Sequence, residues 1–109
     1  MRDVRERLLD MQEAVERISK YTSEGRREFD ENELVQTWVV HHLEIIGEAA
    51  SAIPDDFRNS HQRVPWRQIV AMRHILIHQY FGIDTEAVWA VVSNDLPELR
   101  AQLETMLQE

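Results

Sequence analysis

The strongest constraint on the fold is an apolar repeat between residues 35 and 53, whose positions alternate in steps of four and three. Steps of four and three place side chains on one stripe of an α-helix, whereas a half-buried strand needs a step of two. The repeat consists of Val35, Val39, His42, Ile46, Ala49 and Ile53. Alternation of the strand type is sustained nowhere in the sequence. The chain is therefore predicted to be all-α.

Cap signals and breaks divide the chain into five predicted helices with short connections. Tyr21–Glu28 and Pro54–Arg63 lack apolar periodicity and are predicted to be loops. The first predicted helix runs from Val4 to about Lys20, and the second runs from behind Asp30–Glu33 to before Pro54. The third runs from Pro65 toward Ile77, with a break at Gly82. The fourth begins at a cap at Asp84, and the fifth begins at Asp95. Short connections favour antiparallel neighbours, so residues 1–109 are predicted to form one domain, a small up-and-down bundle of four to five helices.

Composition limits the compartment and the kinds of site. The chain has no cysteine, which excludes disulfide scaffolds and thiolate metal sites, and we expect a cytoplasmic protein. No apolar run approaches the roughly 18–20 residues of a membrane span, and acidic residues follow Met1 too closely for a signal peptide. The net charge of −8 disfavours binding of nucleic acid by overall attraction.

One segment departs from this acidic average. Residues 57–83 contain no aspartate or glutamate but four arginines, which are Arg58, Arg63, Arg67 and Arg73. Arginine forms bidentate bonds with phosphate, so this basic strip is a candidate surface for a phosphate-rich ligand. The other interpretation is that the arginines solvate one face of a helix. For an RNA-binding protein of this charge, we predict that a dimer cleft lined by the four arginines concentrates the positive potential, and arginines scattered on opposite faces would count against this prediction.

Residues 73–80 hold the densest set of reactive side chains, which are Arg73, His74, His78 and Tyr80. On one straight helix, Arg73 and Tyr80 share a face, whereas Arg73 and His78 lie about 140° apart. Arg73 and His78 can share a site only if the helix distorts near Gly82 or if two copies of the segment meet in a symmetric dimer.

An arginine with a histidine suits cleavage of an RNA phosphodiester without a metal. Histidine titrates near neutral pH and can move the 2′-hydroxyl proton or protonate the leaving oxygen. Arginine can stabilise the charge that develops on the phosphoryl oxygens. The same residue types near a helix end also serve as partners of the helix dipole, so the spacing alone leaves both interpretations open.

A rival chemistry uses His74 and His78 as metal ligands, since positions i and i+4 share a helix face. The segment offers no third ligand, which would have to come from Glu44, Glu48 or His42. We therefore predict no metal and no cofactor.

Several other conspicuous residues are interpreted as structural. His42 belongs to the apolar repeat and is predicted to be a hydrogen-bonded core or interface residue, while His41 is predicted to be exposed. The three tryptophans lie among apolar positions and are predicted to pack in the core, although they could also stack on bases: Trp38, Trp66 and Trp89.

The pattern Arg73-x4-His78-x-Tyr80 resembles the RX4HXY motif of the HepT-like toxins, all-α ribonucleases of the HEPN superfamily. The flanks also resemble that family over nearly the whole chain, at Ile46-Gly47-Glu48-Ala49, Pro65-Trp66, Phe81-Gly82-Ile83-Asp84, Val88-Trp89 and Asp95-Leu96-Pro97-Glu98-Leu99. The resemblance implies a HEPN-like homodimer in which the two motifs meet at the interface. It also implies a metal-independent ribonuclease that acts as the toxin of a toxin–antitoxin pair.

The resemblance further implies a role for each motif residue. Arg73 and His78 would be catalytic, His74 would assist, and Tyr80 would be modified by the antitoxin. That partner would be a minimal nucleotidyltransferase of the MntA type, which transfers AMP from ATP to the tyrosine. From the charge pattern, and not from the resemblance, Arg58, Arg63 and Arg67 are predicted to contact the RNA. The alternative is a non-catalytic HEPN module that docks and regulates a nucleotidyltransferase, since a fold does not determine an activity.

Overall fold

The computed structural model describes residues 3–72, 77–78 and 82–109, and for residues 77–78 it describes the backbone alone. Within these ranges the chain is an all-α bundle with one very short strand pair. The elements are α1 (Val4–Thr22), α2 (Arg26–Glu31), α3 (Glu33–Ser51), α4 (Asp55–Ser60), α5 (Trp66–Ala71), β1 (Ile77–His78), β2 (Gly82–Ile83), α6 (Thr85–Ala90), a π-helical segment (Val91–Asp95) and α7 (Leu96–Leu107).

The three long helices α1, α3 and α7 form the centre of the bundle. At one end of α1, Arg5 donates to the backbone carbonyl of Leu107 at 2.9 Å, and near the other end Glu16 pairs with Arg100 at 3.0 Å. These contacts make α1 and α7 antiparallel. The side chains in the core of the bundle are almost completely buried, and the largest are Met11, Ile18, Phe29, Leu43, Ile46 and Leu103. The predicted up-and-down bundle is confirmed.

The apolar repeat of α3 lies in the core of the single chain. Five of its six positions are buried, and the sixth, Val35, is half-buried. The predicted cap is two residues off: Asp30, the first residue of the capping pattern, belongs to α2, and Asn32 caps α3 by accepting a hydrogen bond from the Val35 N–H at 3.2 Å. The repeat is therefore accounted for by packing within the bundle and does not require a second copy of the chain.

Two predicted loops are partly helical. α1 continues to Thr22, and α2 occupies the second half of the predicted loop Tyr21–Glu28 and extends beyond it. α4 lies within the predicted loop Pro54–Arg63. Each of these two short helices has six residues. The helix α2 buries only Phe29, and α4 buries no side chain. Helices of one to two turns with at most one buried side chain carry no readable periodicity.

The predicted third helix is too long. α5 ends at Ala71, and Ile77 and His78 are extended, pairing antiparallel with Ile83 and Gly82. Isoleucine favours an extended backbone. The pairing places Gly82 in the strand pair rather than at a helix end, and its φ of 79° is a conformation that other residues rarely adopt.

The predicted fourth and fifth helices are one continuous helical segment. Asp84 caps α6 as predicted, because its side chain accepts from the Ala87 N–H at 3.0 Å. Asp95, however, has helical dihedral angles and makes no cap, since the π-helical segment leads directly into α7. Pro97 lies in the first turn of α7 and, because it has no N–H, donates no hydrogen bond to the preceding π-helical segment. In the part of the chain that the structure describes, no helix is long and apolar enough to cross a membrane.

Candidate functional site

The motif lies between α5 and α6, and most of it falls outside the described residues. Arg73, His74 and Tyr80 are outside them, and of His78 only the backbone is described. The two flanks are well anchored. Met72 is buried at the end of α5, and Ile83 is half-buried and packs against the core. Both ends of the motif are thus held by the bundle.

Two of the sequence arguments assumed that His78 lies on a helix, but its backbone is extended. His78 pairs with Gly82 in the strand pair, so it does not lie on one straight helix with Arg73. The angle of about 140° between Arg73 and His78 therefore no longer applies. The same holds for a metal site in which His74 and His78 occupy one helical face. Among the described residues, no three histidine, aspartate or glutamate side chains are grouped to hold a metal ion.

The described arginines of the basic strip are in two different situations. Arg63 and Arg67 are exposed, and neither forms an ion pair with a described residue. Arg58 is half-buried, and its guanidinium donates to the backbone carbonyl of Ala50 at 2.7 Å, in the last turn of α3. Arg58 therefore has a structural contact, whereas Arg63 and Arg67 are available to a ligand.

We expect Arg58→Ala to lower the free energy of unfolding by about 1–3 kcal/mol, because the Ala50 carbonyl and the negative end of the α3 dipole lose a charged donor. Chemical denaturation monitored by circular dichroism measures this change. Arg67→Ala is the matched control and should change stability by less than about 0.5 kcal/mol. Equal stabilities of the two variants would contradict the structural role of Arg58.

His61 is the described histidine with the most hydrogen bonds. It lies between α4 and α5, and its ring stacks on Phe57 with the centroids 4.0 Å apart. Nδ1 lies 2.9 Å from the Phe57 carbonyl oxygen, and Nε2 lies 2.8 Å from the Glu109 carboxylate. Both partners are acceptors, so they favour the protonated ring, in which both nitrogens donate. The Phe57 carbonyl first, and then Glu109, raise the pKa of His61 above 6.5.

This contact predicts a pH dependence of stability. The raised pKa of His61 means that its contribution is fully present below about pH 6.5 and is lost as the pH rises through the folded-state pKa. We expect the melting temperature to fall between pH 6 and pH 8.5, and the fall should be smaller in His61→Gln. His41→Gln is the control, since His41 is exposed. Parallel curves for the parent and His61→Gln would contradict the contact.

The interpretation of the paired histidines is confirmed. His42 is 5% exposed and its Nδ1 donates to the Trp38 carbonyl at 2.8 Å, whereas His41 is exposed. Trp66 is buried as predicted. The prediction is wrong for Trp38, which is half-buried beside Tyr21 at the end of α1, with ring centroids 5.1 Å apart.

Trp89 is also only half-buried, but it packs against the core and lies 5.3 Å from Phe29, centroid to centroid.

The contact of His61 with Glu109 had no sequence signal, because 48 positions separate the two residues. Apolar spacing detects the buried face of a helix but not a polar contact between distant segments.

The chain is similar to known proteins over most of its length. A family model described as Ribonuclease HepT-like matches residues 11–106. A Thermococcus cleftensis protein named a probable ribonuclease HepT is 41% identical over 100 residues, which cover 91% of each chain. A Methanocaldococcus jannaschii protein that is named provisionally as an RNase is 39% identical over 104 residues, covering 94% of this chain and 95% of the relative. No solved structure gives a significant match.

Proposed function

Because the chain belongs to the HepT-like ribonuclease family, we propose that it is a metal-independent ribonuclease that acts in the cytoplasm as the toxin of a toxin–antitoxin pair. The observation that carries this proposal is the family match over residues 11–106, which includes the whole of Arg73-x4-His78-x-Tyr80. The relatives that cover more than nine-tenths of the chain are named as ribonucleases, which supports the same activity.

The proposed reaction uses the RNA's own 2′-hydroxyl as nucleophile. The 2′-oxygen forms a bond to phosphorus and the 5′-oxygen leaves, so the products are a 2′,3′-cyclic phosphate and a 5′-hydroxyl. His78 moves the proton of the attacking hydroxyl or supplies one to the leaving oxygen. Arg73 stabilises the additional negative charge on the phosphoryl oxygens, and His74 assists. These steps require no metal.

The proposed site is shared between the two subunits of a homodimer, with Arg73 and His78 drawn from both copies of the motif. This part of the proposal derives from the family, because the helical angle that first suggested it does not apply to His78. Arg63 and Arg67 are exposed and free of ion pairs with described residues, which supports a role in holding RNA phosphates. Arg58 contributes less to RNA binding because its guanidinium is bonded to α3.

We further propose that Tyr80 is the point of control. An MntA-type nucleotidyltransferase antitoxin would catalyse attack of the Tyr80 hydroxyl on the α-phosphate of ATP, forming AMP-tyrosine and releasing pyrophosphate. The added group carries a negative charge and considerable bulk two residues from His78, where it would oppose an RNA phosphate. The nucleotidyltransferase would thus silence the site by modifying it.

The test of the activity is cleavage of total RNA by the purified protein in excess EDTA. We expect cleavage to persist in the chelator and to leave 2′,3′-cyclic phosphate ends, which end-group analysis detects. If highly purified protein leaves RNA intact with and without added divalent metal, the ribonuclease proposal fails and a non-catalytic binding module takes its place. Cleavage that stops on chelation would retain the ribonuclease but reject the metal-free mechanism.

A further inference from the structure

The segment between α4 and α5, residues 61–65, is bonded to α7 and to Glu109 just beyond that helix. His61 Nε2 lies 2.8 Å from the Glu109 carboxylate. Gln102 Nε2 donates to the backbone carbonyl of Arg63 at 3.2 Å. These two contacts fix the position from which the chain enters α5.

The same segment is bonded directly to α5. Trp66, the first residue of α5, donates its indole N–H to the His61 carbonyl at 3.1 Å. The ring of His61 stacks on Phe57, and the Phe57 ring in turn meets Trp66 edge-on, with the centroids 6.3 Å apart. A shift of His61 is therefore passed to the start of α5.

The helix α5 connects this segment to the motif. It has six residues, and Met72 follows its last residue and precedes Arg73 in the sequence. Ile69 and Met72 are buried, which holds one face of α5 on the core. Burial of apolar groups is non-directional, whereas hydrogen bonds fix both distance and angle. The polar contacts of the segment 61–65 therefore set the orientation of α5 on the core, and with it the point from which the chain continues to Arg73.

We propose that His61 and Glu109 are positioning residues of the ribonuclease, because their contact holds α5 in the orientation that places Arg73 for catalysis. This inference rests on the proposed function. His61 and Glu109 act through α5 and do not touch the reacting atoms. A misplacement of about 1 Å can cost an enzyme about 10²-fold in rate, so a contact remote from the reacting atoms can control kcat.

The protonation of His61 makes this contact dependent on pH. The Phe57 carbonyl and Glu109 raise the pKa of His61, so the contact is strongest while the ring is protonated and weakens as the pH rises through the folded-state pKa. From α4, the ring is faced by the uncharged Phe57. From the segment 61–65 and α7, Arg63 and Glu98 line the cavity beside His61, and neither forms an ion pair with a described residue. Glu109 is therefore the charged partner whose contact follows the titration of His61.

The test compares Glu109→Ala with Glu104→Ala, which removes the same charge from an exposed position of α7 that has no ion pair with a described residue. At a temperature at which circular dichroism shows both variants folded, Glu109→Ala should lower kcat for RNA cleavage at pH 6 by about tenfold and leave KM within about twofold. Glu104→Ala should match the parent in both constants. Glu109→Gln keeps an acceptor for the His61 N–H and should recover most of the lost rate.

Two further measurements separate positioning from stability. The ratio of the parental kcat to that of Glu109→Ala should fall toward one between pH 6 and pH 8.5, because the parent loses the charged contact. The same ratio for Glu104→Ala should not change with pH. The backbone amide resonances of Ile69 and Met72 should shift in the NMR spectrum of Glu109→Ala and stay in place in that of Glu104→Ala.

The possible failures are distinguishable. An active parent with equal kcat in Glu109→Ala and Glu104→Ala would overturn the positioning role and leave the ribonuclease proposal intact. Unshifted Ile69 and Met72 resonances in Glu109→Ala, or a ratio of kcat that does not change with pH, would overturn it as well. A parent that cleaves no RNA would reject the ribonuclease and, with it, this inference.

Discussion

Arg73→Ala and His78→Ala are each expected to slow RNA cleavage by a factor of about 10² to 10⁴ at neutral pH, with little change in stability. In the proposed mechanism the arginine acts on charge that develops only in the transition state, so its loss should lower kcat more than it raises KM. The histidine variant loses proton transfer and should also lose the pH dependence of the rate near neutrality. Initial rates on a labelled RNA substrate measure both effects.

Matched controls come from surface residues of the same type outside the motif. Arg26→Ala removes an exposed arginine that pairs with Asp30 within α2, and His41→Ala removes an exposed histidine. Both should cleave RNA at the parental rate. If Arg73→Ala and His78→Ala were as active as these controls, the motif would not be the catalytic site, even if the protein proved to be a ribonuclease.

Treatment with the nucleotidyltransferase antitoxin and ATP is expected to reduce cleavage by about 10²-fold or more, because an adenylyl group beside His78 displaces the RNA phosphate from its position. Mass spectrometry should find the added AMP on Tyr80. Tyr80→Phe should remain unmodified and keep its activity in the presence of the antitoxin.

The chain contains only one other tyrosine, Tyr21, which serves as the control for the site of modification. Tyr21 is 42% exposed and lies at the end of α1. Tyr21→Phe should be modified and silenced like the parent. Modification at Tyr21, or an AMP-Tyr80 protein that cleaves RNA at the parental rate, would reject this mode of control.

The long helices were predictable because their buried faces repeat over several turns. The stripe of α3 and the caps at Asp3 and Asp84 are visible in the sequence and present in the structure, whereas α3 is capped by Asn32 and not by Asp30. The short helices α2 and α4 were missed, because six residues with at most one buried side chain give no periodic signal. The join between α6 and α7 was missed because Asp95-Leu96-Pro97-Glu98 has the composition of a helix start.

The candidate site was predictable as a set of residues but not as a geometry. The family pattern names Arg73, His78 and Tyr80 as candidate site residues, and their roles stay predictions. The helical arrangement assumed for them was wrong at His78, since the pairing of Ile77 with Ile83 depends on two segments meeting in space. The Arg58 bond to α3 was unpredictable for the same reason, because helix spacing does not report where a long side chain reaches outside its own helix.

The proposal that the catalytic site is shared between two subunits can be tested most directly by mixing Arg73→Ala and His78→Ala proteins and measuring RNA cleavage in EDTA. If each site takes Arg73 from one subunit and His78 from the other, a mixed dimer has one intact site and one site that lacks both groups. Random exchange should then restore up to about a quarter of the parental activity from two inactive proteins. No recovery after complete exchange of subunits, alongside an active parent, would contradict a site shared across the dimer.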